Sequence, residues 1–208
     1  MRARILFTKQ GSLRYISHLD LHKVWERAAR RAGLPLAYSQ GFHPQPKIHF
    51  ATALPLGFSS RGEVLDMRLN EDLTPEEITA RLQVSLPEGI RVLQVEAVED
   101  RAPALQTQVL SATYEIRLME KVDGADLMAR VDRIMQSESL PRARRGKPYD
   151  LRPLIEMINV ITETEGETWL RMTLAAREGT TGRPDEVIEE LGIPAENVRV
   201  ERTRMIFA

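Results

Sequence analysis

The hydrophobic and polar positions of the chain change period in a regular order. Residues 2–8 alternate, the pattern of a short strand. Ser17 then precedes a run in which Leu21, Val24, Trp25, Ala28 and Ala32 recur at helical spacing, and Asp20 completes a Ser-x-x-Asp capping pattern. Gly33, followed by Leu34 and Pro35, ends that helix, because glycine tolerates the left-handed backbone of a helix terminus. A Gly/Pro-rich stretch over residues 39–46 leads to an apolar strand over about 47–53. After the turn Leu54-Pro55-Leu56-Gly57, a second strand over 63–69 alternates Val64, Asp66 and Arg68 with Leu65, Met67 and Leu69. Thr74-Pro75-Glu76-Glu77 is a strong helix start: an N-cap threonine, a proline at the first position and Glu77 to reach back. That helix ends at 87–89, and residues 90–98 form another strand. The order is β-α-β-β-α-β.

Residues 99–109 read as a linker, after which the same order recurs more loosely. Residues 112–119 alternate as a strand and 125–136 are helical; 155–162 and 168–175 form a hairpin around Glu165-Gly166. A short acidic helix over 184–191 is closed by Gly192, and 198–207 is a final strand. The pattern predicts an α+β chain of two tandem ferredoxin-like units with antiparallel sheets: residues 1–98, a linker over 99–109, and residues 110–208. The repeat is one of element order, without visible identity between the halves.

Composition narrows the chemistry. The 208 residues are 42% apolar and 28% charged, a globular balance. The net charge of −1 conceals alternation in sign: residues 1–50 carry +7, 51–100 carry −6, 101–150 carry +2 and 151–208 carry −4. Such asymmetry points to a local electropositive surface. Of the 29 basic residues 24 are arginine, whose flat fork suits phosphate better than the point charge of lysine. The absence of cysteine excludes disulfides, thiolate-bound zinc, iron–sulfur clusters and a thiol nucleophile. The first residues lack a signal-peptide pattern and no apolar run is long enough to span a bilayer, so a cytoplasmic protein without membrane attachment is expected.

All four histidines fall in the first fifty residues. His18 and His22 share one helix face, but a metal needs a third ligand, so no metal and no cofactor is expected. His18, at the edge of the apolar stripe, is read as a half-buried core histidine, with general-base chemistry as the alternative. Another face of the helix gathers Lys23, Arg27 and Arg30 into a candidate phosphate ladder, the alternative being an ordinary solvated face. The loop from Tyr38 to Lys47 combines two aromatics, two prolines and a histidine. Its prolines lower the ordering cost of binding; Tyr38 and Phe42 suit stacking, and Lys47 and His43 suit a phosphate. In the second half, Arg142, Arg144, Arg145 and Lys147 form a basic cluster of the kind that attaches to nucleic acid or serves as a surface loop. Residues 178–185 offer a weak anion nest, without a Walker or dinucleotide fingerprint.

The motifs Arg14-Tyr-Ile-Ser-His-Leu-Asp20, Tyr38-Ser-Gln-Gly-Phe42, Pro46-Lys-Ile-x-Phe50 and Leu54-Pro-Leu-Gly57, continued by Asp150-Leu-Arg-Pro153 and Gly182-Arg-Pro184, resemble the radical-SAM-linked domain family, long held as a domain of unknown function. Its members are fused to, or encoded beside, a cobalamin-binding-type radical SAM protein, often near ribosome-related genes. The resemblance implies a radical SAM partner and an RNA substrate. Where the family loop reads Gly-Phe-Asn-Pro-His-Pro, this chain reads Gly41-Phe-His-Pro-Gln-Pro46, a displacement that suits a binding surface better than catalysis. Without thiolates for a cluster, radical chemistry has to reside on another polypeptide.

Together these readings predict a non-catalytic accessory protein that binds structured RNA, tRNA or rRNA, and presents it to a radical SAM enzyme. Arg14, Lys23, Arg27, Arg30 and Lys47, with Arg142, Arg144, Arg145 and Lys147, are the expected phosphate contacts; Tyr38 and Phe42 are the stacking contacts. Two rivals remain open. One is a metal-independent endoribonuclease with His18 as base, by fold analogy with CRISPR repeat-processing ribonucleases. The other is a protein–protein adaptor for the radical SAM partner.

Overall fold

The computed structural model describes residues 1–144, 146–162 and 167–208. The chain divides into two units, Met1–Val109 and Leu110–Ala208, described in turn.

In the first unit, β1 (Arg2–Lys9) leads through a one-turn 3-10 helix at Gly11–Tyr15 into α1 (His18–Arg31). Then come β2 (Ile48–Phe50), β3 (Ser59–Arg68), α2 (Pro75–Gln83), β4 (Ile90–Val98) and the short α3 (Leu105–Gln108). β1 pairs antiparallel with both β3 and β4, and β2 pairs antiparallel with β3. The helix starts are as their capping residues predict. Ser17 Oγ accepts the Asp20 backbone N–H at 3.1 Å. At α2 the Thr74 hydroxyl accepts from Glu77 N at 3.2 Å while the Glu77 carboxylate accepts from Thr74 N at 2.8 Å.

Period two then sorts the sheet into faces. Ala3, Ile5 and Phe7 of β1, Leu65 and Met67 of β3, and Ile48 and Phe50 of β2 bury against Leu21, Trp25 and Ala29 of α1 and Ile78 and Leu82 of α2. Phe7 stands between Trp25 and Phe50, with edge contacts at centroid separations of 4.7 and 6.1 Å. The opposite face carries Arg2, Arg4, Asp66, Arg68 and His49, placed by the registers Arg4↔Asp66, Arg2↔Arg68 and His49↔Asp66. Gly89 illustrates how tightly one loop is drawn in: its carbonyl accepts from Gln10 N at 2.8 Å, φ is +94°, and a Cβ there would lie 2.6 Å from Gln10 O.

The second unit continues with β5 (Val109–Leu118), α4 (Gly124–Gln136), β6 (Pro141–Arg144), β7 (Lys147–Asp150), β8 (Ile155–Thr162), β9 (Thr168–Arg177), β10 (Thr180–Thr181), α5 (Pro184–Glu190) and β11 (Val198–Phe207). β9 pairs antiparallel with β5 along one edge, and with β8 and β10 along the other. Leu127, Val131 and Ile134 of α4, Leu170, Met172 and Leu174 of β9, and Val187 and Ile188 of α5 are buried. The expected turn at Glu165-Gly166 lies outside the described residues. Among those described, no helix is long and apolar enough to cross a membrane.

One expectation is corrected. The fold is not two tandem ferredoxin-like units with antiparallel sheets: among the described residues the strands, apart from a separate β6–β7 ribbon, belong to one sheet of nine. Alternation identifies which residues of a strand face a core, but it carries no information on which strand edges stay unpaired. Several smaller elements also escape the hydrophobic pattern. The β6–β7 ribbon, Pro-Arg-Ala-Arg against Lys-Pro-Tyr-Asp, has almost no apolar residue to alternate.

The polar face supplies a stability prediction. Asp66 and Arg2 have side chains 4% and 5% exposed, so Asp66→Asn leaves two guanidinium groups without their counter-charge. Urea unfolding should report a loss of about 3–5 kcal/mol; a loss below about 1 kcal/mol contradicts the assignment.

Candidate functional site

The outer face of α1 carries the first group of predicted contacts. Lys23 lies 3.5 Å from Asp20, and Arg30 pairs with Glu26 at 2.9 Å, so each of these cations has a carboxylate beside it. Asp20 itself is held below the usual carboxylate range by the Ser17 hydroxyl and then by Lys23. Arg27 is exposed between them. Arg14, on the preceding 3-10 turn, donates to the Tyr15 hydroxyl at 2.7 Å and stacks on that ring at 4.7 Å. His18 is half-buried, its ring edge-on to Phe50 at 5.1 Å, while His22 Nε2 lies 3.2 Å from the Ile48 carbonyl.

The loop after α1 is a built structure. Tyr38 and Pro46 form an isolated bridge, Ser39 N donates to Gln45 O at 2.8 Å, and Gln45 N donates to Ser39 Oγ at 2.9 Å. Arg30 Nε donates to the Tyr38 hydroxyl at 3.1 Å, which ties the loop to α1 and, with Glu26, holds Arg30 more firmly in its charged form. At the tip, Gly41 takes φ of +123° and Phe42 is wholly in solvent, at 101% relative exposure. His43 beside it is exposed, and Lys47 at the loop base is partly exposed. Arg30 is therefore tied to Tyr38, and the Tyr38–Pro46 bridge sets Lys47 at the base of the same loop whose tip carries Phe42.

The second group behaves differently. β6 and β7 make a ribbon closed at its base by Asp150, whose carboxylate accepts from Leu140 N at 2.7 Å and Arg152 N at 2.9 Å. Arg142 and Arg144 are two apart on β6. Arg142 pairs with Glu190 of α5, and Arg144 pairs with Glu186 at 2.7 Å and stacks on Tyr149 at 4.9 Å. Burial works against the Arg144 charge, but the Glu186 carboxylate outweighs it and raises its pKa. Lys147 is exposed, and Arg145 lies outside the described residues. A run that reads as four equivalent cations is thus divided by strand geometry.

The charged cluster on the opposite sheet face was not anticipated. Arg2 Nε and Arg4 Nε reach the Asp66 carboxylate at 2.7 and 2.9 Å. The available signal was that Arg2, Arg4 and Asp66 share strand parity, but parity matters only once β1 and β3 are known to pair. Burial pushes His49 down, with Asp66 opposing. Among the described residues no group of three or more His, Cys, Asp or Glu is arranged to hold a metal ion.

The family described as an uncharacterized protein conserved in bacteria (DUF2344) matches residues 2–184. No curated protein matches the chain. Among solved structures, the chain is similar to one from the crystal structure of a Cbf5-Nop10-Gar1 complex, with a TM-score of 0.53 and 12% identity over 98% of this chain and 48% of that one. It is also similar to one from the archaeal box H/ACA sRNP Nop10-Cbf5 complex, with a TM-score of 0.47 and 12% identity over 98% and 47%. The chain spans about half the length of these solved chains, and the likeness is one of fold.

Two outcomes follow from this geometry. Phe42→Ala removes a side chain that touches only solvent, so unfolding free energy should stay within about 0.5 kcal/mol of wild type; a larger loss shows that the ring is structural. Asp150 has a folded pKa below its unfolded value, so its contribution is complete above the unfolded pKa and disappears as pH falls through the folded one. Asp150→Ala should therefore lower the melting temperature clearly at about pH 6 and by a smaller margin at about pH 2. Equal margins contradict the ribbon-closing role.

Proposed function

We propose that this chain, which belongs to the DUF2344 family of bacterial proteins, binds structured RNA and presents it to a separate modifying enzyme. The observation that carries the reading is the surface made by α1 and the 38–47 loop. A phenyl ring wholly in solvent stands on a loop braced by its own backbone bonds, with Lys47 at the loop base and Arg30 fixed beside Tyr38. Exposed aromatics interleaved with cations are what an unpaired base and its flanking phosphates require, stacking being worth about 1–3 kcal/mol per base. Preorganisation lowers the entropy lost on binding.

In this reading Arg14, Lys23, Arg27, Arg30 and Lys47 meet phosphates, and Tyr38 and Phe42 meet bases. The Lys23–Asp20 pair is exposed on both sides, so a phosphate can replace Asp20 at little cost, whereas Arg30 keeps the half-buried Glu26 and offers its remaining donors. The basic cluster of the second unit contributes through Lys147 of the ribbon, through Arg145 by its sequence position, and through Arg142 and Arg144 where RNA displaces Glu190 and Glu186. A fold neighbour found in the crystal structure of a Cbf5-Nop10-Gar1 complex fits a role inside a larger assembly. The choice of a radical SAM enzyme as recipient rests on the resemblance of the N-terminal motifs. The half-buried setting of His18 against Phe50 favours packing over a nuclease base.

Binding to tRNA and rRNA fragments, followed by fluorescence polarisation across a salt series, tests the proposal. Affinity should fall steeply with salt, and each of Lys23→Ala and Arg27→Ala should flatten the log–log slope by about 1. Phe42→Ala should weaken binding without changing that slope. Absence of binding at low salt overturns the reading, and co-purification with a partner that survives nuclease treatment then favours the adaptor.

A further inference from the structure

A cleft of about 190 Å³ opens on the polar face of the first unit's sheet, lined by Arg2, His49, Asp66, Arg68 and the α3 segment Ala104–Gln106. Its floor is rigid. Arg2 is 4% and Asp66 3% exposed, joined through Arg2 Nε at 2.7 Å and Nη2 at 2.6 Å. Arg2 also donates to the carbonyls of Ala102 and Pro103 at 2.8 and 2.7 Å, which pins the segment before α3 over the sheet.

The balance of donors and acceptors in this cleft is uneven. Asp66 accepts from Arg2 on Oδ2 and from Arg4 on both oxygens, so its lone pairs are largely spent. A guanidinium carries five N–H groups, and the bonds of Arg2 to Asp66, Ala102 and Pro103 leave one on Nη1. Arg68 reaches Asp100 through Nη1 at 3.0 Å and Nη2 at 3.4 Å, leaving its Nε–H, on a side chain 38% exposed. The Gln106 amide has no hydrogen-bond partner among the described residues, and the His49 ring adds a further donor at the mouth. Arg2, Arg4 and Arg68 face Asp66, Asp100 and, across the β1–β4 register, Glu96, so the polar face is balanced in charge and the cleft differs from it in its unspent donors. Unspent guanidinium and amide donors beside a carboxylate whose lone pairs are spent describe an anion site. The cleft has room for a tetrahedral anion with a substituent. A phosphodiester within a strand carries one charge and needs an exit on both sides; a monoester carries nearly two and needs only one.

We propose that this cleft binds a phosphomonoester, with Arg68, His49 and Gln106 gripping the phosphate above the Arg2–Asp66 floor. The site lies on the sheet face opposite α1 and does not depend on the RNA-binding surface described above. The ester is either a phosphorylated RNA end or a free nucleotide, which offer the same group.

Binding is measured for an RNA oligonucleotide with a terminal phosphate, the same oligonucleotide with a terminal hydroxyl, adenosine monophosphate and inorganic phosphate. Wild type is compared with Arg68→Ala, His49→Ala and, as a control, Lys23→Ala. The phosphorylated oligonucleotide should bind roughly tenfold more tightly than the hydroxyl form. That preference should vanish in Arg68→Ala and shrink in His49→Ala, whereas Lys23→Ala weakens both oligonucleotides equally. Competition by the mononucleotide at comparable concentration assigns the site to a free nucleotide; competition needing far more assigns it to an RNA end. Equal binding of the two oligonucleotides, with no binding of the mononucleotide or of phosphate, overturns the cleft assignment, and Lys23-dependent binding of both would then leave the RNA reading intact. Should Arg68→Ala fail to fold, the comparison of the two oligonucleotides on wild type still decides.

Discussion

Asp66 sits in the middle of β3 with its carboxylate 3% exposed, facing away from the helices that cover the other side of the sheet. An isolated charge there would cost several kcal/mol, so the strands must bring it cations. The antiparallel register of β1 does this, setting Arg4 directly opposite and Arg2 one step along the same face. Arg2 in turn holds the carbonyls of Ala102 and Pro103, so a segment with few apolar residues is tied down by hydrogen bonds to a buried guanidinium. Much of the first unit's polar face follows from neutralising that one carboxylate. The same neutralisation leaves donors unspent at the cleft beside it.

Charge is treated differently on the second unit's ribbon. Strand geometry puts Arg142 and Arg144 on one face of β6, where α5 supplies Glu190 and Glu186. Two carboxylates four residues apart on one helix face would repel a phosphate; paired with arginines they do so less. The ribbon therefore keeps its position through ion pairs of intermediate burial, whose strength depends on local geometry more than on the count of charges. The basic character that is obvious in the sequence is half consumed internally.

On α1 and its following loop the cations remain at the surface, and the aromatics beside them have different jobs. Tyr38 turns its hydroxyl to Arg30 and so couples the loop to the helix, whereas Phe42 has no neighbour. A rigid loop presenting an unpacked ring is unfavourable for the isolated molecule and favourable for a complex. The functional reading rests on that contrast more than on net charge, which is −1 for the chain.

Local patterns were legible where the physics is local. The capping groups of Ser17 and Thr74, the stop at Gly33, and the bounds of β4, β8 and β11 follow from side-chain periodicity and from donors that an N-cap must satisfy. The loop over 38–47 was recognisable because its prolines and aromatics are unusual together, and the histidines of α1 because their spacing sets their face. Hydrophobic alternation says little about a hairpin of arginines and prolines, so the ribbon stayed hidden. It says nothing of which edges pair, so separate sheets were expected where one sheet of nine strands forms. The sequence by itself determined which residues turn inward along each helix and strand, since that depends on chain geometry over a few residues. Only the tertiary structure decided which charges meet, because Arg2 and Asp66 are 64 residues apart and their encounter depends on strand register.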